Sequence, residues 1–272
     1  MKLFEVCMRI VLFSLILVFS CGKNSSKGSA SLPPERDDSN PPVIVTPVPM
    51  PPPSDVNQAD IMKITPLLPT MYYTAQEEKT NCKGKYGSST YDGSERSNVI
   101  SVDGKLIATV CTRFYRVLLM EGSAILSDRG AGKISVNYGG VVNGDRRYHL
   151  LERCIYGEGV KKDLCLLPYH TLATDNKVHA IGDIIYIPKA VGIVLPDGTA
   201  HEGYFIVRDT GAAFSGVGAQ RVDMFTGLDP DYANVFLAAG FNHKKEVQAF
   251  KIKGRSAELI KEKLENKFGE IY

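Results

Sequence analysis

The sequence contains no tryptophan, so any stacking or anchoring surface must come from its thirteen tyrosines and eleven phenylalanines. It has almost no excess charge: 32 Lys+Arg against 30 Asp+Glu leave a formal net charge of +2 over 272 residues. A nucleic-acid binder would carry a clustered basic excess, and that class is set aside. No apolar run reaches the ~18 residues of a membrane span, which excludes a multispan membrane protein. The histidines, His149, His170, His179, His201 and His243, show no metal-ligand spacing, and no CxxC pair stands near them. Neither a metal nor an organic cofactor is implied. The remaining composition, 44% hydrophobic and 23% charged, is that of an ordinary globular chain.

The N-terminus predicts export. Lys2 and Arg9 precede an apolar run, Ile10 to Phe19, broken only by Ser14, so residues 1–20 form a signal peptide. Ser20 directly before Cys21 resembles the lipobox of bacterial lipoproteins, which implies that Cys21 is lipidated and becomes the first mature residue. Gly22, rather than Asp, implies an outer-membrane lipoprotein that faces the periplasm, held to the membrane through its lipid. Residues 21–60 are then a Pro/Ser-rich linker: nine of the fifteen prolines lie between Pro33 and Pro53. At about 3 Å per residue such a tether reaches at most on the order of 100 Å. The rest of the chain, about 200 residues, has the size of one domain.

Four cysteines remain in the mature part: Cys82, Cys111, Cys154 and Cys165. In an oxidising compartment they predict two disulfides with three possible connectivities. Cys154–Cys165 closes a short polar loop, so that pair is favoured, together with Cys82–Cys111.

Short β-prone runs dominate the folded part, giving a mostly β class with a barrel, peripheral hairpins and short helices. Strands are expected at Met71–Ala75, Val99–Val102, Lys105–Cys111, Phe114–Met120, Ile134–Tyr138, Tyr148–Leu151, Ile184–Ile187, Ile193–Leu195, Tyr204–Val207 and around Phe250–Ile252. Asp103-Gly104 predicts a type I′ hairpin. Tyr204 to Val207 lacks polar alternation, so both of its faces are expected to be buried. Asp229-Pro230 and Gly240 bracket a helix over Pro230–Ala239. A C-terminal amphipathic helix, within residues 254–272, starts at a Ser256 cap and buries Ile260, Leu264 and Phe268.

Two tempting motifs fail. Gly130-Ala131-Gly132-Lys133 ends like a phosphate loop, but Ser127 replaces its first glycine and Ile134 its Ser/Thr. Ser215 is not in a nucleophile elbow, because Ala213 stands where the first glycine belongs. The informative stretch is Arg208-Asp209-Thr210-Gly211-Ala212-Ala213-Phe214-Ser215-Gly216, and after it Arg221-Val222-Asp223-Met224-Phe225-Thr226-Gly227. A buried strand delivers one carboxylate into a glycine-rich loop, and a second carboxylate comes fourteen positions later. Gly211 and Gly216 allow the tight backbone that would aim such a loop at a ligand.

These residues resemble the 3D (Asp-Asp-Asp) domain, a six-stranded double-psi β-barrel found in membrane-bound lytic transglycosylase A and its relatives. Asp175, Asp209 and Asp223 fall on the family's three aspartates in order, and Gly211, Ala213, Gly216, Phe225 and Gly227 match as well. The match is good over residues 170–250. A looser one reaches back to about residue 70, where Phe114 to Leu126, with Glu121-Gly122-Ser123-Ala124, resembles an earlier barrel strand and its turn. The barrel domain is therefore expected over residues 61–253. The departures are Ala212, Phe214 and Ser215 inside the loop and the longer segment Val217–Gln220, and they bear on how the substrate is gripped.

The resemblance implies non-hydrolytic cleavage of the MurNAc–GlcNAc β-1,4 bond of peptidoglycan glycan strands, leaving 1,6-anhydroMurNAc ends. One carboxylic acid suffices for that reaction, as donor to the glycosidic oxygen and then as base toward the sugar's own C6 hydroxyl. By resemblance that residue is Asp223, with Asp209 orienting it or stabilising the intermediate. Asp175, Thr210, Gly211, Gly216 and Arg221 would support the loop or the substrate. Two other classes stay open. Double-psi barrels of the expansin kind bind wall polysaccharide without cutting it. Asp209-Thr210-Gly211-Ala212 also spells an aspartic-protease motif; with one copy present, a protease would need a symmetric dimer.

Overall fold

The computed structural model describes residues 56–82, 94–211, 214 and 220–269. The expected signal peptide, Cys21 and almost all of the linker lie outside these residues, as does Gly216. In chain order the strands are β1 (Ile61–Lys63), β2 (Leu68–Tyr72), β3 (Ala75–Gln76), β4 (Arg96–Ile100) and β5 (Leu106–Cys111). Helix α1 (Thr112–Glu121) comes next, then β6 (Ser123–Leu126), β7 (Ile134–Val142), β8 (Asp145–Leu150), β9 (Thr171–Ala173), β10 (Ile184–Tyr186), β11 (Tyr204–Asp209) and β12 (Arg221–Phe225). The chain ends with α2 (Val235–Ala238), β13 (Phe250–Ile252) and α3 (Gly254–Phe268).

The protein is mostly β with short helices, as expected, and its described strands fall into three sheets. Seven strands make one sheet in the order β1-β13-β10-β11-β9-β12-β2. Leu67, between the edge strands β1 and β2, and Val247, just before β13, exchange both backbone hydrogen bonds at 2.8 Å. A four-stranded sheet, β3-β6-β7-β8, and the β4–β5 hairpin complete the fold.

Leu172, Ile185, Phe205, Val207, Val222 and Met224 pack together in one buried core on the large sheet. Tyr204, Ile206 and Ile252 point the other way, under Ile260, Leu264 and Phe268 of α3. Both faces of β11 are thus covered, which accounts for its lack of polar alternation. A second core joins the smaller sheet, the hairpin and α1 through Phe114, Leu118, Val136 and Tyr148. Both favoured disulfides are present, Cys82–Cys111 and Cys154–Cys165.

Several local expectations are corrected. Phe114–Met120 is not a strand but the body of α1: Phe114 and Leu118, four apart, are its buried stripe. Gly122, at φ 83°, stops it and donates its N–H to Leu118 O at 2.9 Å. The turn before β5 is not type I′, because of its residues only Gly104 has a positive φ; Gly104 N–H instead bonds Ser101 O at 2.9 Å, beside a bulge in the hairpin. Ile193–Leu195 forms a single bridge, Val194 to Ala200, rather than a strand. The helix expected from Pro230 shortens to α2, because Asn234 accepts the Leu237 N–H at 2.9 Å and sets a later N-cap. Ser256 lies inside α3, not at its cap. Asp60 supplies the acceptor, taking Ser256 Oγ at 2.6 Å and Ser256 N at 3.2 Å. A carboxylate at that end also complements the helix dipole.

Candidate functional site

The strand order sets the site. β9 lies between β11 and β12, and β12 lies beside β2. In this register Asp209 opposes Ala173, Ala173 opposes Asp223, and Asp223 opposes Thr70. Residues directly opposite one another share a face of the sheet. With strands about 4.8 Å apart, the two aspartates sit within roughly 10 Å of each other. Ala173 lies between them and is itself buried, 4% exposed.

This row depends on a bulge. Val207 opposes Leu172, yet Asp209, not Arg208, opposes Ala173. An extra residue in β11 re-aims the next side chain; without it Arg208 would occupy the row. Arg208 is anchored instead, through Nη1 to Cys165 O at 2.7 Å and Nη2 to Glu265 Oε1 at 2.9 Å. Its carbonyl accepts Val160 N–H at 3.1 Å. Gly159 makes that approach possible: a Cβ there would stand 2.0 Å from the Arg208 oxygen.

Val222 and Met224 enter the core, so Arg221, Asp223 and Phe225 share the opposite face of β12. There Tyr72, Leu166, Ala173, Phe214 and Phe225 form a small apolar cluster, with the Tyr72 and Phe225 rings 5.0 Å apart. Arg221 lies over the Phe214 ring at 5.7 Å. Thr70 Oγ1 donates to Asp223 Oδ1. Thr210 N–H donates to Asp209 Oδ1 at 2.8 Å, while Thr210 Oγ1 bonds Thr174 O at 2.7 Å. Gly211 packs on the Phe214 ring, which a Cβ would meet at 3.3 Å.

Burial raises Asp223 to about 6; Arg221 opposes the rise and Asp209 adds to it. Asp209 is also raised to about 6 by burial, against the Thr210 amide and Tyr72. Tyr72, 9% exposed, lies with its hydroxyl buried alongside the Asp209 carboxyl. Burial and the two aspartates hold that phenol well above its usual range.

Asp209, Asp223, Thr210, Gly211 and Arg221 are therefore brought together. Asp175 is not part of the row. It lies beyond β9, where Oδ1 accepts Lys177 N–H at 3.0 Å and closes its own turn. Two neighbours carry no sequence signal. Thr70 and Tyr72 come from β2, about 150 positions before β12. Glu121, the last residue of α1, accepts Tyr73 N–H at 3.1 Å and lies close enough to Asp223 for their charges to interact. Among the described residues no three His, Cys, Asp or Glu are grouped to hold a metal ion. No described helix is long and apolar enough to cross a membrane.

Residues 170–251 match the 3D domain family, a span that holds all three aspartates. Among solved structures, the chain is similar to Escherichia coli MltA with bound chitohexaose, at a TM-score of 0.40 and 12% identity over 71% of this chain and 72% of that one. The membrane-bound lytic murein transglycosylase from Agrobacterium tumefaciens gives 0.40 and 12%, over 71% and 75%. The lytic transglycosylase LtgG of Burkholderia pseudomallei gives 0.33 and 13%, over 68% and 70%. No curated protein sequence matches the chain.

Proposed function

We propose that the chain is a peptidoglycan lytic transglycosylase that cleaves MurNAc–GlcNAc β-1,4 bonds and leaves 1,6-anhydroMurNAc ends. One observation carries the reading: a bulged strand sets two aspartates, both raised by burial to about 6, in a single row within the segment that matches the 3D domain. The bridge from the segment before edge strand β2 to that before β13 supports the double-psi barrel architecture. The same reading makes the protein an outer-membrane lipoprotein, tethered through Cys21 and a proline-rich linker to reach the wall.

The chemistry centres on Asp223. Protonated, it donates to the glycosidic oxygen as the C1–O4 bond breaks and C1 acquires oxocarbenium character. The resulting carboxylate takes the proton of the C6 hydroxyl while O6 bonds to C1. The proton ends on Asp223, and no water is consumed. Asp209, as a neighbouring carboxylate, keeps Asp223 from ionising early and stabilises positive charge at C1.

The test is digestion of purified peptidoglycan by the full chain, with mass spectrometry of the soluble products. The expected result is anhydro ends from the unsubstituted chain and none from Asp223→Asn. Retention on intact wall with no anhydro ends from either chain would make the protein a polysaccharide-binding module instead.

A further inference from the structure

We propose that the loop from Cys154 to Cys165, closed by its disulfide, is a positioning device: it clamps the β11 bulge and so keeps Asp209, rather than Arg208, beside Asp223. This rests on the reading of the aspartate row as the reacting centre, and it adds a covalent bond and a glycine that lie outside the 3D match.

The loop grips the bulge at both backbone and side chain. Val160 N–H donates to Arg208 O at 3.1 Å, and Arg208 Nη1 donates back to Cys165 O at 2.7 Å. Gly159 lies against the same carbonyl: a Cβ there would stand 2.0 Å from Arg208 O and 2.8 Å from its carbon. From the other side, Arg208 Nη2 reaches Glu265 Oε1 of α3 at 2.9 Å. The next residue along β11 is Asp209, opposite Ala173. A bulge interrupts the ladder, so contacts from outside the sheet decide whether it persists.

The loop is built to hold a fixed shape. Cys154–Cys165 joins its ends, Glu158 and Cys165 form an antiparallel bridge, and Gly159 N–H donates to Leu164 O at 2.9 Å. Glu158 is buried and braces it from within. Its Oε1 accepts Asp163 N–H at 3.0 Å, its Oε2 lies 2.7 Å from His149 Nε2, and its own N–H donates to Asn137 Oδ1 at 3.1 Å. Asn137 belongs to β7 and His149 to β8, so the loop is seated on the smaller sheet while it holds a strand of the larger one.

With the bulge released, regular pairing would set Arg208 opposite Ala173 and turn Asp209 to the other face, because successive side chains alternate. Asp223 is faced by Asp209 from β11, by Arg221 on its own strand, by Tyr72 from β2 and by Glu121 from α1. Exchanging one carboxylate of that set for a guanidinium would let Asp223 ionise at lower pH.

The experiment follows the aspartate carboxyls of the full chain by carbon-13 NMR from about pH 3 to about pH 9, which spans ordinary and raised carboxylates. Anhydro-product formation from peptidoglycan is measured beside it, and Asp209→Asn and Asp223→Asn assign the two signals. Gly159→Ala keeps the disulfide and pushes the loop off Arg208 O; Cys154→Ser with Cys165→Ser removes the staple. Both are expected to shift the Asp223 titration downward as Asp209→Asn does, and to lower turnover by about 10–100-fold. Adding Asp209→Asn to Gly159→Ala should then cost less than about threefold more, because both act on one position. Cys82→Ser with Cys111→Ser is the control. That disulfide spans 29 positions against 11, so its loss should lower the melting temperature at least as much, yet leave the Asp223 titration in place. Should one of the two loop variants fail to fold, the other decides. An unmoved titration in the loop variants, or an equal shift on loss of Cys82–Cys111, would overturn the proposal and leave the loop a plain structural support. If the titrations move as stated but no chain forms anhydro ends, the transglycosylase reading falls while the clamp stands. Anhydro ends formed at full rate by Gly159→Ala, with its titration unmoved, would have the reverse meaning.

Discussion

The same side chain behaves in opposite ways in two regions of this molecule. On the surface turns, aspartates are satisfied by amides: Asp128 accepts Gly130 N at 2.7 Å and Gly132 N at 2.8 Å, and Asp197 accepts both the amide and the hydroxyl of Thr199. These hydrogen bonds hold both carboxyls below their usual range. The glycine-rich run that ends like a phosphate loop is therefore wrapped around Asp128. In the β11–β9–β12 row the balance reverses. Asp209 has one amide and Asp223 one hydroxyl, both are half-buried, and both carboxyls rise to about 6. Aspartates that hold the fold together are paired with amides, and aspartates suited to carry a proton are left short of them.

If the row is short of partners by construction, removing its charge should cost function and not stability. Asp223→Asn is expected to lower anhydro-product formation by about 10²–10⁴-fold, the usual loss for a general acid. The folded-state value of Asp223 lies above the unfolded one, so the ionised group destabilises the fold. That penalty develops as pH rises from about 4 to about 6 and persists above. The variant should therefore gain up to about 2 kcal/mol at neutral pH and nothing below about pH 4. Thermal unfolding at both pH values measures this. A loss of stability at neutral pH would place Asp223 with the turn aspartates.

Asp209→Asn sharpens the comparison within the row. Its charge raises Asp223, so neutralising it should move the alkaline fall of activity toward lower pH. Turnover at the optimum should drop by about 10–100-fold, less than for Asp223→Asn. A pH–rate profile reports the pair's joint titration rather than either residue alone. An unmoved limb would separate the two carboxylates.

The row is partly legible in the sequence. Asp209 and Asp223 stand out because a buried strand and glycines announce a loop that must be aimed. The bulge is invisible: nothing in Val207-Arg208-Asp209 states that two residues will oppose one. Arg208 buried against Cys165 and Glu265 is a tertiary outcome. Helix α1 reads as a strand because Phe114, Tyr115 and Val117 favour strands, while Phe114 and Leu118 pack at helical spacing on the second core. That strand reading hides Glu121. Once the helix is recognised, an acidic residue just before Gly122 is an anomaly, since a helix end prefers cations there. Thr70 and Tyr72 have no local signal, because only the parallel pairing of β2 with β12 brings them in.

Asp175 gives the smallest effect and the cleanest discrimination, because the resemblance aligns it with the other two aspartates while its carboxylate closes its own turn. Its carboxylate accepts Lys177 N–H, and its own carbonyl takes the amides of Val178 and His179. Asparagine can make the same side-chain hydrogen bond, so Asp175→Asn should leave both unfolding and pH–rate profile close to the original. Asp175→Ala loses one exposed hydrogen bond, about 0.5–1 kcal/mol, with turnover reduced by less than about threefold. Should Asp175→Asn instead cost as much activity as Asp209→Asn, its charge would have to act on the sugar, and the division between turn and row aspartates would fail at the residue where it was drawn.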